Sequence, residues 1–368
     1  MFRTTEGSTG RLIQLCIGYF IFYVITGVSV KYFTGRPELG FPGMNQIEYL
    51  VYSTFGGSLV ALSVVLVLRW FKLKSNKMIS WGRLRFPSEV LYIIPSGVCT
   101  AVIIPTTTMM YLLPISVMVA MVIMRASVII ISRVVDAVQI KQGILTKRVY
   151  WEENIAVVFA LTAAAINIFW VGPNDFDFAA SAVALVILGS YIVAYSLRIY
   201  IMNYYKNTRA KGVKLDNNGF FAIEQIAASL TMMLATYILF KSPEWFSTVS
   251  AELITFRDSI ATPHSLWSLA VVAGFAYGIV AFFSVFIFMF KGRTATFAGL
   301  VNRLTSLVAG TAATLVSYFA FGGRFPSTQD WLALVFIFIA VGFLTRAERK
   351  RMQELLLAHE IESSAKTS

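Results

Sequence analysis

Charge, cysteine and histidine are all scarce in this chain, and each shortage removes a class of function. Only 14% of its 368 residues are charged while 57% are hydrophobic, more apolar surface than a soluble fold of this length needs to bury. The two cysteines, Cys16 and Cys99, both lie in apolar runs. They offer neither a disulfide framework nor metal-ligand spacing and read as core residues. His264 and His359 are the only histidines, expected in a loop and in the tail. No phosphate-cradling Gly-rich loop with its Lys-Ser/Thr, no His-Glu-x-x-His, no nucleophile elbow and no Cys-x-x-Cys occurs, so the reading calls for no cofactor, no metal and no enzyme. A membrane transferase built only from acids and arginines stays open. Asn-x-Ser/Thr sequons are absent as well, and with so few cysteines this favours a bacterial inner membrane over Golgi or ER.

Long apolar runs are what the chain has in quantity. Ten of them reach the roughly 20 residues that a helix needs to cross a core of about 30 Å, over 11–33, 46–71, 88–112, 114–136, 153–171, 178–203, 220–240, 265–290, 294–320 and 331–346. None shows the alternating period of a membrane barrel, so the expected fold is an all-α polytopic membrane protein of ten transmembrane helices. The first run is too long for a removed signal peptide and lacks a small-residue cleavage site, so it reads as a retained helix.

The formal net charge of +12 is distributed by loop parity. Arg69, Lys72, Lys74, Lys77, Arg83 and Arg85 follow the second run, with Lys141, Lys147 and Arg148 after the fourth and Lys206, Arg209, Lys211 and Lys214 after the sixth. Lys291 and Arg293 follow the eighth, and Arg346, Arg349, Lys350 and Arg351 the tenth. Loops of the other parity carry few cations, and acids such as Asp175, Asp177, Glu244, Glu252 and Asp258 dominate there. The positive-inside rule then puts both termini in the cytoplasm and makes the surplus a topology signal, with no nucleic-acid partner.

Laid against itself, the chain brings Ser116–Ser127, SVMVAMVIMRAS, over Thr294–Thr305, TATFAGLVNRLT, with Arg125 on Arg303. Each arginine lies in the fourth run of a set of five. An odd number of crossings per unit inverts the second copy, so the expected architecture is two inverted five-helix repeats, 1–172 and 173–346, meeting near Gly172–Pro173, with a cytoplasmic tail over 347–368. A cavity is expected between the halves near mid-depth.

An arginine at the centre of a membrane helix costs about 2.5–3.5 kcal/mol on insertion scales, so something must compensate. Snorkelling suffices for Arg133 and Arg198, and Asp136 is placed to pair locally with Arg133. For Arg125 and Arg303, bonds to backbone carbonyls or to Glu224 compete with the functional reading, in which both face water and bind an anion. Guanidinium suits a phosphate or carboxylate because it stays charged and presents two parallel donors. Glu224 could pair with Arg303, accept a donor from substrate or carry a proton, and Gln225 beside it could read a base or sugar edge. Tyr191 and Tyr195 recur at helical spacing and could stack a ring, or simply pack. Pro95 and Pro105 interrupt the third run, where Thr106, Thr107 and Thr108 either satisfy freed carbonyls or line a path. Gly299, Ala309, Gly310, Ala312 and Ala313 permit close helix approach.

Ten helices in two inverted halves resemble the drug/metabolite transporter superfamily over nearly the whole chain. More narrowly, Gly299-Leu300-Val301-Asn302-Arg303-Leu304 is similar to the glycine-x-x-asparagine-lysine-leucine motif on helix nine of nucleotide-sugar transporters, and to the basic pair on that helix in triose-phosphate translocators. Met124-Arg125-Ala126-Ser127 resembles the short lysine-bearing stretch on helix four. The resemblance implies that Arg303 contacts substrate phosphate and that exchange proceeds by alternating access. Both lysines are arginines here, and Ala222-Ile223-Glu224-Gln225 stands where GDP-mannose carriers have Phe-Tyr-Asn-Asn.

The expectation is therefore a secondary transporter exchanging an anionic, phosphate-bearing metabolite, a nucleotide sugar or sugar phosphate. Arg125 and Arg303 would hold the anion, Asn302 would orient Arg303 or bond the ligand, and Glu224, Gln225, Tyr191 and Tyr195 would read the organic part. Its partners would be that small anion, the lipid bilayer and, as an option, a second copy of the chain. The alternative is a proton-coupled drug or amino-acid exporter of the same fold, with a lipid flippase or membrane-embedded enzyme behind it.

Overall fold

The computed structural model describes residues 9–145, 150–170, 176–210, 212–245, 250–289 and 295–367. The expected repeat boundary at Gly172–Pro173 lies outside them, as do Lys147, Arg148, Lys211, Lys291 and Arg293. The side chains of Gly299 and its neighbours over 295–300 and of Leu355–Leu357 in the tail are likewise not described.

Ten helices among the described residues are long and apolar enough to cross a membrane. They are α1 (Thr9–Phe33), α2 (Gln46–Val67), α3 (Val90–Leu112), α4 (Val117–Lys141), α5 (Trp151–Phe169), α6 (Ala182–Asn207), α7 (Asn217–Trp245), α9 (Trp267–Phe288), α10 (Ala295–Phe321) and α11 (Thr328–Thr367). Helix satisfies every backbone group locally, which hydrocarbon requires. Large side chains left bare, such as Phe169 at 73% and Phe319 at 77% exposure, cost nothing against lipid tails. Where helices start outside the apolar core, polar caps fix the ends: Asn45 and Glu48 form a reciprocal capping box on α2, and Ser116 and Ser181 accept from Val119 and Ala184 at 3.1 and 3.2 Å on α4 and α6.

The all-α expectation fails at one place, and one short helix adds to the ten spans. Strands β1 (Met78–Trp81) and β2 (Leu84–Pro87) form an antiparallel hairpin between α2 and α3. Its turn needs a left-handed residue, and Gly82 takes φ 60° there. Such short strands hide in a run of cations that reads only as a basic loop. The second addition is the short helix α8 (Ala251–Ala261), which rests on α2 through a bond from the Tyr52 hydroxyl to the Ser259 carbonyl at 2.8 Å. His264 joins that contact, its backbone N–H donating to the same hydroxyl at 3.0 Å.

The main helix contacts fall into pairs. α2 packs on α9 and α3 on α7; α1 packs on α9 and α3 on α6; α1 packs on α10 and α4 on α6; α4 packs on α5 and α10 on α11. α4 also meets α10, and α5 meets α11. The α2–α9 contact is backbone to backbone. A Cβ at Gly56 would meet the Val271 carbonyl, one at Gly274 the Ser53 carbonyl and one at Gly278 the Gly57 carbonyl, so only glycine permits this approach. Gly97 plays the same part on α3, where a Cβ would meet Ala227 and the Glu224 carbonyl of α7.

Candidate functional site

Five helices converge on a small central cavity of about 40 Å³ lined by Arg125, Arg198 and the five tyrosines Tyr19, Tyr23, Tyr191, Tyr195 and Tyr277. Each tyrosine pair is spaced one helical turn, so two phenols of one helix reach the same wall. Tyr19 and Tyr23 of α1 meet edge to face at 5.0 Å, and Tyr191 and Tyr195 of α6 lie tilted at the same separation.

Arg125, on the most deeply buried face of α4, is 3% exposed. Its Nη2 donates to the Tyr23 hydroxyl at 2.6 Å and to Tyr19 at 3.4 Å, and the guanidinium carbon lies 5.3 Å from the Tyr23 ring centre. Its Nε has no hydrogen-bond partner. No carboxylate pairs with this cation among the described residues. Neutral phenols and a ring face thus hold a full positive charge out of water, which leaves donor capacity unspent on a residue that lines the cavity.

Arg198 departs from the snorkelling expectation. It is 6% exposed, and it clamps Glu224 of α7 through Nε to Oε1 at 2.9 Å and Nη2 to Oε2 at 2.8 Å. The Ser96 hydroxyl of α3 donates to the same carboxylate at 2.6 Å. Glu224 therefore pairs with Arg198 of α6 and not with Arg303. α6 runs on to Asn207, so Arg198 lies well inside the helix, where α3 and α7 enclose it. Gln225 is buried beside Glu224, with its Nε2 unpartnered, but does not line the central cavity.

Arg303 and Asn302 face different ways. Asn302 accepts from Tyr19 at 3.3 Å and donates to Ser284 at 3.3 Å, so a polar chain runs from Arg125 through Tyr19 and Asn302 to α9. Arg303, 2% exposed, turns to the Ser132 hydroxyl on α4 and lies outside the lining of the central cavity. Ser132 and Asp136 line a second small cavity, about 20 Å³, toward the basic face. Arg133 reaches Asn154 at 3.2 Å and Glu153 at 3.8 Å, both on α5, beyond the local Asp136 pairing expected of it. Thr107 lines the central cavity and donates to the Ile103 carbonyl at 2.7 Å, Thr106 donates to the Val102 and Ile103 carbonyls and Thr108 to Ile104. None of these is the carbonyl of Leu91 or Ala101, whose donors Pro95 and Pro105 remove.

Arg125, Tyr191 and Tyr195 are thus brought together. Tyr19, Tyr23 and Tyr277 are the members of the set that the sequence reading missed. The first two had a signal, since the Tyr-x-x-x-Tyr of the first run recurs as Tyr191-x-x-x-Tyr195 in the sixth, whereas Tyr277 stands alone in its run.

A wider cavity of about 720 Å³ opens at the opposite, cation-poor face, between the ends of α1, α3, α5, α10 and α11. Its lining includes Val117 and Val119 at the start of α4, on the way to Arg125. Among the described residues, then, a ten-span polytopic membrane bundle of transport type carries a wide cavity open at its cation-poor face and a central one barely larger than a water site. No family model matches the chain, and no curated protein matches it. A solved structure described only as a crystal structure of a protein is similar to it over 93% of this chain and 99% of its own, with 14% identity and a TM-score of 0.45. A likeness that distant carries no argument.

Proposed function

We propose that the chain is a secondary carrier that exchanges an anionic, phosphate-bearing metabolite with a ring, a nucleotide sugar or sugar phosphate, by alternating access. The observation that carries this reading is Arg125: a buried cation with no acid beside it and an unused Nε, set among five phenols. Phosphate supplies the missing counter-charge, and the tyrosine walls offer ring faces and hydroxyls to the organic part. Arg198 is already neutralised by Glu224, so it contributes donors more than net charge. That clamp already occupies both oxygens of Glu224, so the carboxylate is engaged by Arg198 and Ser96 before any substrate arrives.

Two inverted halves fit the helix contacts. Exchanging α1 with α6, α2 with α7, α3 with α9, α4 with α10 and α5 with α11 turns each contact pair above into its partner. The paired tyrosine doublets and the paired glycine approaches, Gly97 on α7 and Gly274 on α2, obey the same exchange. With the basic face cytoplasmic, this conformation faces outward. The central cavity is too small for a nucleotide sugar, so binding must draw α1 and α6 apart. In this state Arg303 seals the cytoplasmic side against Ser132; the inward-open state would release it toward substrate.

The test is reconstitution. Proteoliposomes loaded with one nucleotide sugar or sugar phosphate should exchange it for the same compound outside, and Arg125→Gln should abolish exchange at normal expression and unchanged elution. Exchange that survives Arg125→Gln ends the assignment.

A further inference from the structure

Outer-face cations are few, and their placement is uneven. Besides Lys241 and Arg257, which lie on Glu244 at 3.0 and 3.8 Å, they are Lys31, Arg36 and Arg324. All three of these line the wide cavity, where Asp330 is the single carboxylate among the described lining residues. Asp330 is buried and accepts from the Ser327 N–H at 2.9 Å, so three cations face one acid there. Lys31 is committed at its Nζ, which donates to the Tyr111 and Ile115 carbonyls at 2.7 and 2.9 Å. Arg36 and Arg324 stand exposed at the rim. Trp170, Phe325 and Phe41 give the same walls ring surface.

The positive-inside rule works against cations on this face, so three in one mouth are not a by-product of topology. A concave, low-dielectric wall focuses their field. We propose that the wide cavity is an anion-docking vestibule, in which Arg36 and Arg324 concentrate and orient a ring-bearing organic anion before it reaches Arg125. Its volume, about 720 Å³, accommodates a whole nucleotide sugar, which the central cavity does not. The purpose of the vestibule rests on the carrier reading; its electrostatics do not. Arg36 and Arg324 would set the half-saturating concentration from outside and leave the turnover and the inside-facing affinity alone.

Reagent electrostatics test the vestibule without any transport. In a Cys16→Ala/Cys99→Ala background, Gln329→Cys on the vestibule wall is labelled by an anionic and by a cationic methanethiosulfonate, each rate divided by that of free cysteine. The anionic reagent should win by about 3- to 10-fold. Arg36→Gln/Arg324→Gln should bring the ratio close to one, Arg36→Lys/Arg324→Lys should keep it, and salt near 1 M, where the Debye length is about 3 Å, should flatten it. A ratio at or below one in the parent, or a ratio indifferent to the Gln pair, overturns the vestibule whatever Arg125 does. Loss of exchange in Arg125→Gln together with an unchanged outside half-saturation in the Gln pair would also sink it while sparing the carrier. A normal ratio with exchange surviving Arg125→Gln would leave the field in place and remove the carrier.

Discussion

Removing either partner of the Arg198–Glu224 clamp should cost far more than removing both. The pair is nearly fully enclosed, with side-chain exposures of 7% and 0%, and it carries two direct bonds plus the Ser96 hydroxyl. Glu224→Leu leaves a guanidinium without its acid at a site closed by three helices. Truncations of this kind cost about 3–5 kcal/mol, because the surviving charge is stranded. Arg198→Met leaves the carboxylate one remaining donor, the Ser96 hydroxyl, so its cost should sit at the lower end of that range. The double variant, Arg198→Met/Glu224→Leu, strands no charge and fills similar volume. Replacements of whole buried pairs by apolar residues are commonly neutral or stabilising, so it should lie within about 1 kcal/mol of the parent. The coupling across the cycle is then about 3 kcal/mol or more. Fluorescence-detected size exclusion after stepwise heating in detergent gives the Tm of all four proteins. Singles well below the parent with the double close to it is the expected pattern. A double variant that loses the sum of the two singles would show that the bonds themselves, not the stranded charge, hold α3, α6 and α7 together.

The glycine seam makes a sharper steric demand. Gly274→Val should lower the Tm by the overpacking cost of about 1–3 kcal/mol, since its Cβ meets the Ser53 carbonyl, whereas Gly342→Ala on α11, where nothing lies near an added Cβ, should be neutral in the same melt. At the basic face, Glu89 caps the loop, accepting from Ser75 at 2.5 Å, the Asn76 N–H at 2.6 Å and Arg209 at 2.7 Å. Burial pushes its carboxyl upward, but the bonds from Ser75, Asn76 and Ser88 together hold it below the ordinary carboxylate value. Its folded pKa being depressed, the contribution is complete at neutral pH, starts to fade as pH drops past about 4.5 and is gone below the folded value. Glu89→Gln should therefore be less stable than the parent at pH 7, the gap closing toward pH 3, as melts across that range would record. Ser132→Ala, which removes the partner of Arg303, should shift the carrier toward its inward-open form and raise labelling of a cysteine placed at Asn203 from the cytoplasmic side.

The bundle was largely legible because hydrocarbon thickness sets span length, and ten runs of that length sit between loops of alternating charge. Arg125 was legible for a related reason: no cation that deep is casual. What escaped were relations that only packing decides. Arg198 sits near the end of its apolar run, where snorkelling is the local solution, but the helix continues to Asn207, and nothing near it in sequence announces Glu224 on the next helix. Arg303 and Arg125 align in sequence, yet α10 turns one toward Ser132 while α4 turns the other into the cavity. The Tyr19 and Tyr23 doublet recurs as Tyr191 and Tyr195 at a spacing of its own, different from the spacing that relates the two arginines. The hairpin over 78–87 fell inside a basic stretch where charge outweighed alternation.

The seam between α2 and α9 has a consequence for movement. Backbones touching through Gly56, Gly57, Gly274 and Gly278 leave no side-chain cushion, so one helix cannot roll or ratchet over the other without first lifting clear. Any swing that opens the far side must carry the two as a single rod, with the shear taken up by looser contacts where bulky, lipid-like side chains can slide.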